Sequence, residues 1–348
     1  MADIVINLII MITKIVIVFG VVMLGVAYLT LAERKFAGYI QDRLGPNRAG
    51  PRGLFQPFAD FLKMLFKEDF IPDSAEKFLF FVAPGMIAIP SLTVIAIIPF
   101  GDSLNIFGIE IPLRIADVNI GILYLFAVAS LSVYGLVLGG WSANNKYSLL
   151  GGLRSAAQMI SYELVLGLSV IGVLMITGSL RFTEIVQFQT AYFWGFIPKW
   201  NIFLQPVAFI IFITAAFAET NRLPFDLVEA EQELVGGYHT EYNSIKWMLY
   251  FLSEYANVIT ASAIITTLFF GGWHLPWFEN IPMPEILLEL LQIGSFIIKT
   301  AFFAVFFIWV RWTFPRFKYN QLMNLSWKAL LPIAILNILI TSLVYLII

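Results

Sequence analysis

Eight runs of mostly apolar residues divide this 348-residue chain, at about 4–31, 78–100, 117–138, 158–177, 202–218, 247–270, 286–310 and 329–348. A helix needs about 20 such residues to cross the hydrocarbon of a bilayer, and each run approaches or exceeds that length. Inside lipid the backbone has to satisfy its own polar groups, which leaves helices or closed barrels, and runs this long do not suit barrel strands. The expectation is an all-α, polytopic integral membrane protein with about eight transmembrane helices in a single membrane domain, 1–348. Composition agrees: 59% of residues are hydrophobic and 13% charged, about half the charged share of a soluble domain. Glu163 sits inside the fourth run, and the fifth is short.

Eight crossings put both termini on one side. Of the 21 basic residues, 16 lie in the loops after the first, third, fifth and seventh runs and 3 in the loops opposite, with Lys14 and Lys299 inside runs. By the positive-inside rule the first set of loops faces the cytoplasm and both termini face out. The first run is too long for a signal peptide and lacks a positive leader, so it is expected to be a retained span. The chain has no cysteine and two histidines, His239 and His274. That excludes disulfides, thiolate-held iron–sulfur clusters and cysteine zinc sites within the chain. The topology puts the two histidines on opposite sides, so a bis-histidine haem is not expected either. The basic residues form no groove for nucleic acid.

Glu33, Arg34 and Lys35 follow the first run, and then GYIQDRLGPNRAGPRG sets Gln41, Arg43, Arg48 and Arg52 among turn-forming Gly, Pro and Asn. Such a loop is either an ordinary positive anchor or the framework of an opening or partner surface. From Leu54 to Lys67 the period becomes helical. Phe55, Phe58, Phe61, Leu62 and Leu65 share an apolar face, with Gln56, Asp60, Lys63 and Lys67 on the other, Asp60 and Lys63 forming an i,i+3 pair. The segment is too short to span and fits a helix lying in the interface. It serves as a brace between spans or as one wall of a lateral portal.

The loop 219–246 is acidic: Glu219, Asp226, Glu229, Glu231, Glu233 and Glu241 face only Arg222 before Lys246. Pro224 starts and Gly236–Gly237 stop a candidate helix. On it Asp226, Glu229 and Glu233 form a stripe, and Arg222 reaches Asp226 at i,i+4. A charged loop is usually a solvated face. Here Glu163 and Glu254 lie in adjoining spans, and a carboxylate within a membrane is costly enough to point to function. Lys14 and Lys299 either neutralise such carboxylates or pack on helix carbonyls. Arg311, Arg316, Lys318 and Lys328 in the last inner loop are placed to meet the acidic segment or lipid headgroups, and Trp312 and Trp327 to anchor at the interface.

ERKFAGYIQDRLGPNRAG with GLFQPFADFLKMLFKED, then KYSLLGGLRSAAQMISYE, ETNRLPFDLVEAEQELVGGYHTEY with FLSEYANV, and RWTFPRFKYNQLMNLSWK occur in that order. Together they resemble the signatures of the H-type membrane subunits of proton-pumping NADH:quinone oxidoreductase, respiratory complex I, over nearly the whole chain. The sequence departs from the family's common residues at Leu223, Val228 and Asn320. The resemblance implies a subunit without a redox centre of its own in a bacterial inner membrane, both termini periplasmic. Quinone is the substrate, while FMN, NADH and iron–sulfur clusters belong to partner subunits. The implied partners are the peripheral-arm quinone-site and iron–sulfur subunits, small membrane subunits, antiporter-like subunits and lipid. It assigns Glu33, Arg34, Gln41, Arg43, Arg48, Gln56, Asp60, Lys63 and Lys67 to the quinone chamber and portal. Arg154 belongs with Glu163 to the second motif, and Glu163, Glu219, Arg222, Asp226, Glu229, Glu231, Glu233, Glu241 and Glu254 are assigned to proton or charge coupling.

Three other readings compete. A related hydrogenase-type complex shares parts of these motifs. A stand-alone proton-coupled transporter also uses buried carboxylates, but the acidic segment has no counterpart in the first half. A purely structural anchor leaves Glu163 and Glu254 without a reason.

Overall fold

The structure, a computed structural model, describes residues 2–106, 109–227, 231–278 and 284–347. Helix α1 (Ala2–Ile40) is followed by the short α2 (Gln56–Leu65), α3 (Lys77–Thr93), α4 (Gly121–Ser142) and α5 (Lys146–Thr177). Next come α6 (Phe182–Phe188), α7 (Asn201–Leu204), α8 (Pro206–Glu219), α9 (Glu231–Leu234) and α10 (Ser244–Phe269). The chain ends with α11 (Glu285–Thr313), α12 (Tyr319–Asn324) and α13 (Leu331–Ile347), the last two joined by a π turn over Leu325–Leu330. Two antiparallel ribbons fill loops at the end of the bundle opposite the basic loops: β1 (Ser103–Ile106) with β2 (Ile109–Pro112), and β3 (Tyr192–Phe193) with β4 (Ile197–Pro198). The sequence reading contained no strands, because pieces this short carry no clear two-residue alternation.

Among the described residues seven helical segments are long and apolar enough to cross a membrane: Leu8–Ile40, Lys77–Ile97, Gly121–Ser142, Lys146–Thr177, Ser244–Phe269, Glu285–Thr313 and Tyr319–Ile347. The apolar Pro206–Glu219 is shorter. It lies in the middle of the bundle, with Ala208, Phe212, Ala215, Ala216 and Ala218 all buried. The opposite face, with Val207 and Ile210 exposed, is also apolar, as a helix that meets buried neighbours on one side and lipid on the other needs no polar face.

Helix ends differ from the apolar runs in a consistent way. α1 continues past residue 31 to Ile40, taking Glu33, Arg34 and Lys35 with it, and α5 begins at Lys146 rather than near 158. Hydropathy registers where a helix leaves lipid, whereas backbone hydrogen bonding continues into water. Asn145 starts α5 by accepting from the Tyr147 amide at 2.9 Å, and Gly178, at φ 70°, ends it.

Small residues let the spans approach closely. A Cβ on Gly135 of α4 would lie 2.4 Å from Ile87 Cγ1 and 3.0 Å from the Ala83 carbonyl of α3. One on Gly140 would lie 2.4 Å from the Ser148 carbonyl of α5. Both in-span lysines bind carbonyls rather than carboxylates. Lys299 donates to Phe270 O at 3.0 Å, Gly272 O at 3.0 Å and His274 O at 2.8 Å, satisfying the end of α10. Lys14 donates to Pro112 O at 3.4 Å and Arg114 O at 3.2 Å.

Candidate functional site

At the basic end of the bundle, three spans and one loop bring opposite charges together in a buried cluster. α1 supplies Glu33, α10 supplies Glu254 and Tyr255, α11 supplies Arg311, and the turn after α8 supplies Arg222. Arg222, 3% exposed, lies 2.6 Å from Glu33 through Nη1 and 2.7 Å from Glu254 through Nε. Arg311 Nη1 donates to the other Glu33 oxygen at 2.5 Å, and Tyr255 O–H donates to Glu33 at 2.8 Å. The Tyr255 ring lies under the Arg222 guanidinium, 4.2 Å from ring centroid to Cζ. Two carboxylates and two guanidiniums balance, so the cluster stays charged without a net buried charge. Burial works against the charge on Arg222, but Glu254 and Glu33 beside it more than compensate and hold it fully protonated.

This arrangement corrects two expectations. Arg222 does not pair with Asp226, and Asp226 does not lie on a helix begun by Pro224. Residues 222–227 form successive turns, with Phe225 N bonded to Arg222 O at 2.8 Å. A helix there would keep Arg222 on the outside. The turns instead drive Arg222 and Phe225 into the bundle, where the guanidinium meets two carboxylates from other helices. Asp226 pairs with Arg316 at 3.1 Å. Burial nevertheless pushes its carboxyl up to about 6, Arg316 pulling the other way. Glu233, on α9, is exposed and pairs with Arg154 of α5 at 2.7 Å. Glu241 accepts from Asn145 Nδ2 at 2.6 Å. Glu229 and the Glu231 side chain lie outside the described residues, and the Asp226/Glu229/Glu233 stripe falls partly on them.

Deeper in the bundle, Glu163 of α5 accepts a hydrogen bond from Ser130 of α4. Glu219, at the end of α8, lines a cavity of about 40 Å³ with Ser91, Ser132, Asn257 and Thr260. That volume has room for roughly three waters. The hydroxyls of Ser91, Ser132 and Thr260 donate to carbonyls of their own helices, which leaves their lone pairs to accept.

The first basic segment makes a different feature. A cleft of about 370 Å³ opens between α1, α2 and α10. Met23, Phe61, Met64, Met248 and Phe251 make its apolar wall, and Arg34, Asp60 and Lys63 its charged rim. Arg34 Nη1 reaches Asp60 at 2.5 Å and Gln56 Nε2 donates to the same carboxylate at 2.9 Å. Asp60 is thus engaged by Arg34 rather than by Lys63, because α1 runs beside α2 and presents a forked guanidinium. Lys63 and Lys67 are exposed on α2 and just beyond it, and Arg48 is exposed in the loop. Gln41 accepts from Arg43 Nε at 2.6 Å just past α1.

The structure brings nine of the expected residues into three groups: the charge cluster with Glu33, Arg222 and Glu254; Glu219 in its cavity and Glu163 on Ser130; and the cleft region with Arg34, Gln56, Asp60 and Lys63, while Asp226, Glu233, Glu241, Gln41, Arg43, Arg48 and Lys67 lie outside all three. Sequence reasoning passed over Tyr255 and Ser130 as site residues. Tyr255 stands beside Glu254 in FLSEYANV, a usable signal; Ser130 sits in an apolar span with nothing to mark it. Arg311 entered as a candidate partner of the acidic segment or of lipid headgroups, and its contact is with Glu33 of α1.

The family model described as NADH dehydrogenase matches residues 13–342. The H subunit of NADH-quinone oxidoreductase from Flavobacterium johnsoniae is 49% identical over 336 residues, covering 95% of this chain and 94% of that one. NADH-quinone oxidoreductase subunit 8 of Rhodothermus marinus is 52% identical over 332 residues, 94% of each. One of the H subunits of Geobacter metallireducens is 48% identical over 342 residues, 98% of each.

Proposed function

This chain belongs to the family of H subunits of NADH-quinone oxidoreductase, and we propose that it forms the membrane wall of a quinone chamber, anchors a peripheral arm and couples quinone reduction to proton translocation. It is a multi-pass protein of a bacterial inner membrane, oriented by its basic loops with those loops in the cytoplasm and both termini in the periplasm. The redox centres (FMN and iron–sulfur clusters) and the NADH site belong to peripheral-arm partners, while small membrane subunits and antiporter-like subunits adjoin it within the bilayer. The exposed arginines of the 41–52 loop suit the arm's docking face.

One observation carries this reading. Thr30 and Arg34 line the lateral cleft, and Glu33, one residue from Arg34 on the same turn of α1, anchors the buried charge cluster. An apolar-tailed ligand in the cleft and a balanced set of buried charges thus share one helical turn. Reducing a quinone takes two electrons and two protons. A change of charge near the headgroup redistributes the potential felt by Glu33, Arg222, Glu254 and Arg311. The Glu219 cavity, with Glu163 beyond it, gives that disturbance a polar route into the bundle.

The test is a quinone with a photoreactive group on its tail, applied to the complex purified from its native membrane. The expected result is labelling of peptides carrying Met23, Phe61 or Met248, suppressed by excess unmodified quinone, with NADH-oxidising and iron–sulfur subunits in the same preparation. Labelling confined to other chains refutes the chamber role, and a nickel–iron hydrogenase partner moves the chain to the hydrogenase-type complexes.

A further inference from the structure

The short helix α2 is held at two points that differ in kind. Past its C-terminal end the hold comes from the start of α10. Lys246 Nζ donates to both oxygens of Asp69 at 2.9 Å, and the Lys246 side chain is 7% exposed against 54% for Asp69. Ser244 Oγ shares its one proton between Met64 O and Lys67 O, each at 3.0 Å, and Asn243 Nδ2 donates to Glu68 O at 3.1 Å. The Met64 carbonyl is one that the end of α2 leaves open, and those of Lys67 and Glu68 belong to the turn just past it. A buried ammonium that loses its carboxylate is left uncompensated, so this tie is costly to break.

The second tie is Arg34–Asp60, from α1 to the middle of α2. Its side chains are 47% and 32% exposed, and both residues line the cleft. Ion pairs this open to solvent contribute little net stability and exchange readily with water. Phe58, Phe61, Leu62 and Leu65 are all more than 40% exposed, so much of the apolar face of α2 meets no neighbour in this chain.

We propose that α2 is a hinged wall of the lateral cleft: Asn243, Ser244 and Lys246 fix its C-terminal end, and the Arg34–Asp60 pair is a latch that opens to pass a quinone headgroup. The inference rests on the cleft being the quinone route. It makes Lys246 a positioning residue, and it links the acidic loop to the cleft, because the loop's last residues are the hinge.

The chain has no cysteine of its own, so introduced thiols are the only ones it contributes to the assembled complex in native membranes. In one arm Met248→Cys is modified with a bulky maleimide, which plugs the cleft. In the other, Arg34→Cys with Asp60→Cys is bridged by a bismaleimide, and each preparation is compared with itself before modification, using a long-tailed quinone. The expected result is at least a tenfold fall in quinone reduction in both arms. A fall with the plug and none with the bridge overturns the latch while leaving the cleft as the route. No fall with the plug removes the cleft itself, and the hinge with it. In a separate variant, Lys246→Ala is expected to raise the KM for quinone severalfold with kcat within a factor of two, Lys246→Arg restoring it. An unchanged KM overturns the hinge.

Discussion

Replacing Arg222 with methionine removes a guanidinium that touches two carboxylates, and the structure indicates which of them suffers. Glu33 keeps Arg311 at 2.5 Å and the Tyr255 hydroxyl at 2.8 Å. Glu254, by contrast, has Arg222 as its ion-pair partner among the described residues, at 2.7 Å. Methionine fills a similar volume, so the loss is electrostatic rather than a cavity. Removing one partner of a buried pair costs about 3–5 kcal/mol, most of it the penalty of the charge left behind. That penalty falls on Glu254, which has to take up a proton or draw in water. Arg222→Met is therefore expected to lower the inactivation temperature of the solubilised complex by several degrees and to reduce the amount assembled in the membrane. Adding Glu254→Gln removes the stranded charge and is expected to recover part of the loss, with a coupling of about 1–3 kcal/mol between the two sites. The measurements are thermal inactivation of quinone reductase activity and the quantity of intact complex on native gels, for both single variants and the double. A double variant as damaged as Arg222→Met alone, or an Arg222→Met complex as stable as the parent, refutes the reasoning.

Asp226 gives a pH dependence of definite sign. Its carboxyl rises from an ordinary 3.8 to about 6, so the folded form holds more protons than the unfolded one between about pH 4 and 6. Stability from this group is therefore present at low pH and lost as pH rises through 6, on the order of 3 kcal/mol. Asp226→Asn is expected to flatten the parent's slope of inactivation temperature across that window, and an unchanged slope refutes the assignment. Gly135→Ala drives a Cβ to 2.4 Å from Ile87 Cγ1 and 3.0 Å from a backbone carbonyl. It is expected to cost about 1–3 kcal/mol, read as reduced assembly at the growth temperature, with Ile87→Ala, which removes Cγ1, in the same chain recovering part of it; wild-type assembly by Gly135→Ala refutes the close approach of α3 and α4.

The buried charge cluster shows why pairings were harder to read than residue types. The sequence marked Glu254 because a carboxylate within an apolar run is costly, and Glu33 and Arg222 through the family motifs they sit in. Local spacing then assigned Arg222 to Asp226 and Lys63 to Asp60, since i,i+3 and i,i+4 neighbours are all that a linear pattern offers. In the fold both aspartates are engaged by arginines from other segments: Asp226 by Arg316, 90 positions away, and Asp60 by Arg34, 26 positions away. Lys14 and Lys299 show the same limit, because their carbonyl partners come from loops whose course hydropathy does not describe.

The sequence by itself determined that the chain lives in lipid, crosses as helices, and turns one basic, loop-rich end to water. Those properties follow from transfer free energies and backbone hydrogen bonding, which act residue by residue along a linear run. Tertiary structure alone decided that Glu33 on α1, Glu254 on α10 and Arg311 on α11 share one guanidinium-centred cluster, and that α2 closes a cleft beside it. Both depend on how the helices cross and how the 220–227 turns enter the bundle. Crossings are set by close-packed contacts such as Gly135 against Ile87, and these join residues far apart in sequence.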